Sequence, residues 1–476
     1  MSFPKSVLVA ITCILVSTPL FAQTSTPRRA TSPATTSRLP ASSSPSPRTS
    51  SASTSRAQPA IYRAPTTQRA QPASYASEVP PELYETDAYA AGPSSSDYGP
   101  ACDGCGGPSC GAQGCCAPGC FTGWGCCDLY VRAEYLMWWS NGANAPALVT
   151  ESLPGIPQAN AGVLGSPGTS ILYGDENLDS DLRSGILFGI GGWCDPGHTI
   201  GWEVNYAYLG EDNQDFYGDN TTSTILARPF FNTQTGAQDS RLINYPGLVS
   251  GSVGIDATTE FQSLEAVIRS CFMQSCYGRT DFILGYRYAN LTEQVRIEES
   301  TLALSGVIAG TTIDIVDDFK TLNEFNGVNL GFITERRINP CWSYEFTAKV
   351  ALGTTKSTGT IRGQRTTTNT LGTSTTNGGL LALDTNIGDY SQTAFSAMPE
   401  LGIQLRYDLN PCWSATFGYS VRAITNTMRA AEQIDTTINP TQIPPGTFTG
   451  ANRPDFLFGE SVFVAQGLNF GLQCAF

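Results

Sequence analysis

The residues in this sequence best suited to chemistry are cysteines. Eight of them crowd into residues 102–127: Cys102, Cys105, Cys110, Cys115, Cys116, Cys120, Cys126 and Cys127. Thiolates at this density could hold zinc, and Cys102-x2-Cys105 has half of the spacing of a four-cysteine site. No matching second pair follows and no histidine is near. A disulfide knot is the expectation, with its connectivity open. Six further cysteines, Cys194, Cys271, Cys276, Cys341, Cys412 and Cys474, fall in or beside short turns or at the chain end. They are expected to bridge at one rim, to each other or to the knot, with Cys271 and Cys276 able to pair across their own turn. The alternative is that they stay reduced as small apolar fillers. Catalysis finds no centre. The sole histidine, His198, sits in the short turn Asp195–Thr199, and acid–base hydrolysis generally relies on such a group. Asp317-Asp318 is expected in a solvated loop rather than a calcium site. No catalytic, metal or cofactor constellation is assigned.

A second set of chemically capable residues is spread along the chain at every other position. Arg132, Arg269, Arg287, Lys349, Arg406 and Arg422 alternate with apolar neighbours, as do Glu134, Glu203, Glu265, Asp281, Glu345 and Glu400. Six cations against six anions can neutralise one another, which buried charges require.

The elements that carry these charges are β-strands. Period-2 alternation begins at Asp128, where Leu129, Val131, Ala133, Tyr135, Met137 and Trp139 share one face. Similar segments occur at 184–193, 199–210, 257–269, 280–291, 324–335, 342–353, 394–407, 413–423 and 457–476. The apolar face of each runs long enough for a tilted strand to cross a bilayer. This predicts an all-β, antiparallel, transmembrane up-and-down barrel of about ten strands, or twelve if two more hide in a loop. Short turns such as Asn339-Pro340-Cys341 and Asn410-Pro411-Cys412 alternate with segments expected to be long loops, about 140–183, 210–256, 292–323, 354–393 and 424–456. Outer-membrane barrels show this asymmetry, with short periplasmic turns. An even strand count then leaves both termini periplasmic. Near-matching segments Arg337-Ile-Asn-Pro-Cys-Trp-Ser343 and Asp408-Leu-Asn-Pro-Cys-Trp-Ser414 mark a repeated hairpin. Apolar residues at every second position up to Phe476 resemble the terminal signal read by barrel-assembly machinery.

The first 127 residues lack this pattern. Residues 1–22 have the charged start and short apolar core of a secretory signal. Residues 23–101 are expected to be a disordered Ser/Thr/Pro/Arg-rich linker, because such a composition cannot bury enough apolar surface to fold. Gln23–Ser77 carries seven arginines and no acid, so an envelope polyanion is a candidate partner beside membrane lipid. The whole-chain charge of −14 argues against nucleic acid. The Cys-rich segment 102–127 then leads into the barrel, 128–476.

Leu129-Tyr-Val-Arg-Ala-Glu-Tyr-Leu-Met-Trp-Trp139, Pro146-Ala-Leu-Val-Thr150, the Gly192-Trp-Cys194 turn, the Asn-Pro-Cys-Trp turns and Phe476 resemble the planctomycete putative outer-membrane β-barrel porin family, family 7 of the barrel porins. The resemblance spans about 128–476 and implies location and fold, with no site residues to carry over. Barrels near eight strands are filled by side chains, whereas sixteen or more leave a channel. Ten strands with balanced inward charge therefore lead to the expectation of a structural or surface role with a narrow or plugged lumen. A passive porin for small solutes is the alternative.

Overall fold

A computed structural model describes residues 128–178, 181–443 and 446–476. The expected signal, linker and cysteine knot lie outside these residues. Ten long strands, numbered in chain order, form the wall: β1 Asp128–Ser140, β2 Leu182–Trp193, β3 Ile200–Asp219, β4 Val249–Ser275, β5 Gly278–Ala303, β6 Thr312–Arg337, β7 Trp342–Asn369, β8 Gly388–Asp408, β9 Trp413–Thr427 and β10 Ser461–Ala475. Each pairs antiparallel with its sequence neighbour. Strand β1 also pairs with β10, Tyr130 opposite Ala475, which closes the ring. Closure leaves no wall edge unpaired, the condition for crossing lipid with strands. The expected all-β barrel of ten strands is what forms. Both ends of the wall meet on one rim, where the Phe476 N–H donates to the Leu129 carbonyl at 2.8 Å.

The expected loops need correction. β5 and β6 are each 26 residues long and β7 is 28, more than twice what a bilayer crossing needs. The connection expected at 292–323 shrinks to 304–311, and β4 already begins at Val249. The strands continue past their apolar outer band because the wall keeps its ladder of hydrogen bonds in water as well as in lipid. The surplus length was not visible as alternating apolar residues on the outer face, since there that face is polar.

Inside the protruding end, the remaining connections fold into the mouth. Strands Val149–Ser152, Thr169–Tyr173, Ile225–Asn232, Ala237–Asn244 and Thr437–Ile438 form a small separate sheet. Leu226, Phe230, Leu381, Met428, Ile434 and Phe456 from these connections pack against Val253, Ile255, Val295, Ile297 and Phe319 of the wall. Burial of each large side chain contributes about 1.5–3 kcal/mol relative to exposure. Residues 304–308 at the β5–β6 turn stay outside this core, with Val307 fully exposed.

The rim of short turns carries the six described cysteines. Cys194, Cys271 and Cys474 are free thiols, so the expected bridges are not made there. Cys271 cannot reach Cys276, which lies five positions further along extended chain. At about 3.3 Å per residue that distance far exceeds disulfide reach. Cys276 and Cys412 are each disulfide-bonded.

Candidate functional site

Alternation fixes which side chains enter the lumen. All twelve expected charges point inward, and contacts join them into tiers. Nearest the turn rim, Glu203 on β3 is the hub. It accepts from Tyr130 at 2.6 Å and pairs with Arg132 at 3.2 Å and Arg269 at 2.9 Å. Arg132 also meets Glu134 at 3.4 Å, and Arg269 meets Asp281 at 2.7 Å. One level further in, Glu265 and Glu400 are shared among three cations. Lys349 lies 2.7 Å from Glu265, and Arg287 lies 3.4 Å from Glu265 and 2.5 Å from Glu400. Arg422 completes the set at 3.2 Å from Glu400. Arg406 lies 3.9 Å from Glu345 and 3.5 Å from Glu335.

Neutral amides link the tiers. Asn205 donates to both Glu203 and Glu265, Asn329 donates to Glu265, and Gln404 donates to Glu134. Glycine makes room for the long side chains. A Cβ on Gly471 would lie 2.6 Å from Cγ of Glu134, and one on Gly189 would lie 2.5 Å from the Asn205 carboxamide oxygen. A cavity of about 50 Å³ lies among these groups, on the scale of a few water molecules.

Two members of the network were missed by the sequence reading. Glu335 ends the weakly alternating strand β6, and Arg279 lies at the start of β5, where it meets Asp281 at 2.5 Å and sits 4.0 Å over the Trp193 ring. With them the two charged tiers count seven cations and seven anions among the described residues; Arg183, opposite Trp138 above them, donates to the Thr259 carbonyl at 3.1 Å.

Above the charges the lumen turns apolar. Leu136, Trp138, Leu209, Phe261, Phe325 and Phe463 interdigitate there, and the Trp138 indole donates to Asn469 at 2.8 Å. The β9–β10 connection enters above this tier. Arg429 is 1% exposed and lies 2.6 Å from Glu293. Asn323 grips the Met428 backbone from both sides, accepting from its N–H and donating to its carbonyl at 2.8 Å each. This plug contact was not foreseen, because nothing in 424–456 alternates.

Asp317 also departs from expectation. It is not in a loop but fully buried on β6, paired with Arg228 at 2.6 Å, and its other oxygen accepts three backbone N–H groups from Leu380, Leu381 and Ala382. His198 is where the sequence placed it, at a positive φ of 53° in the β2–β3 turn. Its Nε2 lies 2.6 Å from Asp128, and its ring stacks on Trp193. In the same turn, backbone N–H groups of Ile200 and Thr199 hold the Asp195 carboxyl below its usual range.

Three solved structures have related outlines. The outer membrane protease OmpT from Escherichia coli covers 73% of this chain and 97% of its own at 8% identity, with a TM-score of 0.34. A major outer membrane protein from Thermus thermophilus covers 74% of this chain and 99% of its own, at 8% identity and a TM-score of 0.19. The toluene transporter TodX of P. putida covers 74% and 90%, again at 8% identity and 0.19. These scores carry no argument about function. No curated protein matches the sequence. The family model does: it covers residues 130–476, all but the first two residues of the ten-stranded wall, and on that match this outer-membrane β-barrel chain belongs to the putative beta barrel porin-7 family.

Proposed function

We propose that the barrel serves a structural or surface role in the outer membrane and does not conduct steadily. The observation that carries this reading is the stack inside the wall: seven cations paired to seven anions, an apolar tier, and the Arg429 connection held by Glu293 and Asn323. A charge drawn from such a network leaves its partner buried and unpaired, so opening a path is costly. The test is single-channel conductance of the refolded full chain in a planar bilayer. Silence or rare flickers are expected. Large, stable, ion-selective channels would overturn the reading.

A passive pore for small solutes is the second reading, favoured by the family's own description. On that reading the plug must leave, and Arg429→Ala together with Asn323→Ala would convert silence into steady current.

The rim of short turns is assigned to the periplasm by its turn lengths, which puts both chain ends there. Residues 1–22 would then be removed as a signal, 23–101 would act as a basic periplasmic linker able to meet an envelope polyanion, and 102–127 would form the cysteine segment beside the mouth. Phe476 at the rim suits recognition by assembly machinery. Protease treatment of intact cells tests the orientation. Cuts in 220–248 or 370–387 are expected, and cuts confined to the Asn-Pro-Cys turns would reverse it.

A further inference from the structure

The protruding end holds a second charged cluster, separate from the lumen tiers and with a different balance. Glu299 on β5, Asp317 on β6 and Arg365 on β7 face inward. Arg228 and Arg241 come from strands Ile225–Asn232 and Ala237–Asn244, where they are direct cross-strand partners. Like charges so placed repel unless something lies between them. Glu299 does: it is 3.4 Å from Arg228 and 2.6 Å from Arg241. Asp317 is taken by Arg228 on one oxygen and by three backbone N–H groups on the other. Both carboxylates are therefore committed.

Arg365 remains. It is 5% exposed and makes no ion pair among the described residues. Its Nη2 donates to the Gly379 carbonyl at 3.2 Å. Its Nε is buried with no partner, and so is the Nε of Arg228. Three guanidinium groups thus share two carboxylates. Burial and the neighbouring Arg241 pull Arg365 down to about 10, so it is still charged at neutral pH. A buried charge without a counter-charge is costly. The side chain of Arg241 is 20% exposed, so solvent reaches the cluster at that edge.

We propose that Arg365 and Arg241, with the unpartnered edge of Arg228, form a binding site for one small oxyanion of the phosphate or sulfate class. Guanidinium donors lie in a plane and match two oxygens of such an ion at once. One anion restores the charge balance that the two carboxylates leave short. The burial of Arg365 and of the Arg228 Nε favours a free ion over a polymer-borne phosphate.

The test is calorimetric titration of the folded full chain in detergent with inorganic phosphate, at constant ionic strength set by chloride. Saturable one-site binding is expected, with sulfate competing. Arg365→Gln is expected to weaken phosphate at least tenfold, while Arg362→Gln, at an exposed outward position beside it in sequence, leaves it unchanged. Heat-modifiable mobility in SDS gels reports whether each variant folds. If Arg365→Gln does not fold, Arg365→Lys keeps the charge but loses the planar fork, and weaker binding is expected. The absence of saturable phosphate binding, or wild-type affinity in a folded Arg365 variant, would overturn the site.

Discussion

Strand β5 passes through two environments, and its side chains exchange roles midway. From Phe282 to Tyr288 the aromatic residues and Leu284 face outward, with Leu284 and Tyr286 about half exposed, while Asp281, Ile283 and Arg287 are buried inside. From Ala289 to Ile297 the apolar residues Leu291, Val295 and Ile297 are buried inside, while Thr292, Gln294 and Arg296 lie on the outer face. The backbone does not change register with β6 across this point. Only the solvent changes. Lipid outside the lower half cannot satisfy polar groups, so charge is driven inward and must be paired there. Water surrounds the upper half, so its inner face can be packed by connections as in a soluble core. One sheet therefore encloses two interiors, an ionic one and an apolar one, and they should fail differently when altered.

The largest effects, similar in size, are expected in the two interiors. Glu400→Gln removes a carboxylate shared by Arg287 and Arg422, and should cost about 3–5 kcal/mol in urea unfolding of the detergent-folded barrel. Equal stability to wild type would mean that the network is solvated rather than buried. In the apolar half, Phe319→Ala leaves a cavity beneath the connections and should cost about 3–5 kcal/mol, and it should also raise hydrogen exchange in 380–383 while leaving the β1 and β10 amides protected. A uniform rise through the wall would show that the two interiors unfold as one.

The outer face gives a matched pair of smaller effects. Leu284→Arg places a charge against lipid and should cost about 2–4 kcal/mol in vesicles. Glu298→Leu, on the same face of the same strand but past the switch, should change stability by no more than about 0.5 kcal/mol. Similar losses from both would move the membrane boundary along β5. The smallest effect is at the rim. Asp195→Ala removes acceptors for the Thr199 and Ile200 N–H groups. Since folding holds this carboxyl low, its contribution is present above the unfolded pKa and is lost as pH falls through the folded one. Wild type and variant should therefore differ slightly in melting temperature at pH 7 and converge in acid.

Much of the lower half was legible in the residues themselves. Arg132, Glu134, Arg287 and Glu400 each lie between apolar neighbours, and period 2 leaves them only one face. The upper half was not recognised, although its signal is present: from Ala289 onward the apolar residues of β5 simply change parity. The reading stopped where the lipid-facing pattern stopped and took the remainder for loop, which also misplaced Asp317.

The sequence by itself determined strand number, the inward face, the closing Phe476 strand and the short-turn rim, because alternation, turn residues and length are local properties of the chain. Only the tertiary structure decided which charge meets which, that 428–434 enters the lumen, and that Arg228, Arg241 and Arg365 converge on two carboxylates. Those contacts join residues far apart in the chain; Ala430 and Glu293, for one, are separated by 137 positions. Ring closure and the folding-in of the connections place them together, and no local pattern in the chain encodes that meeting.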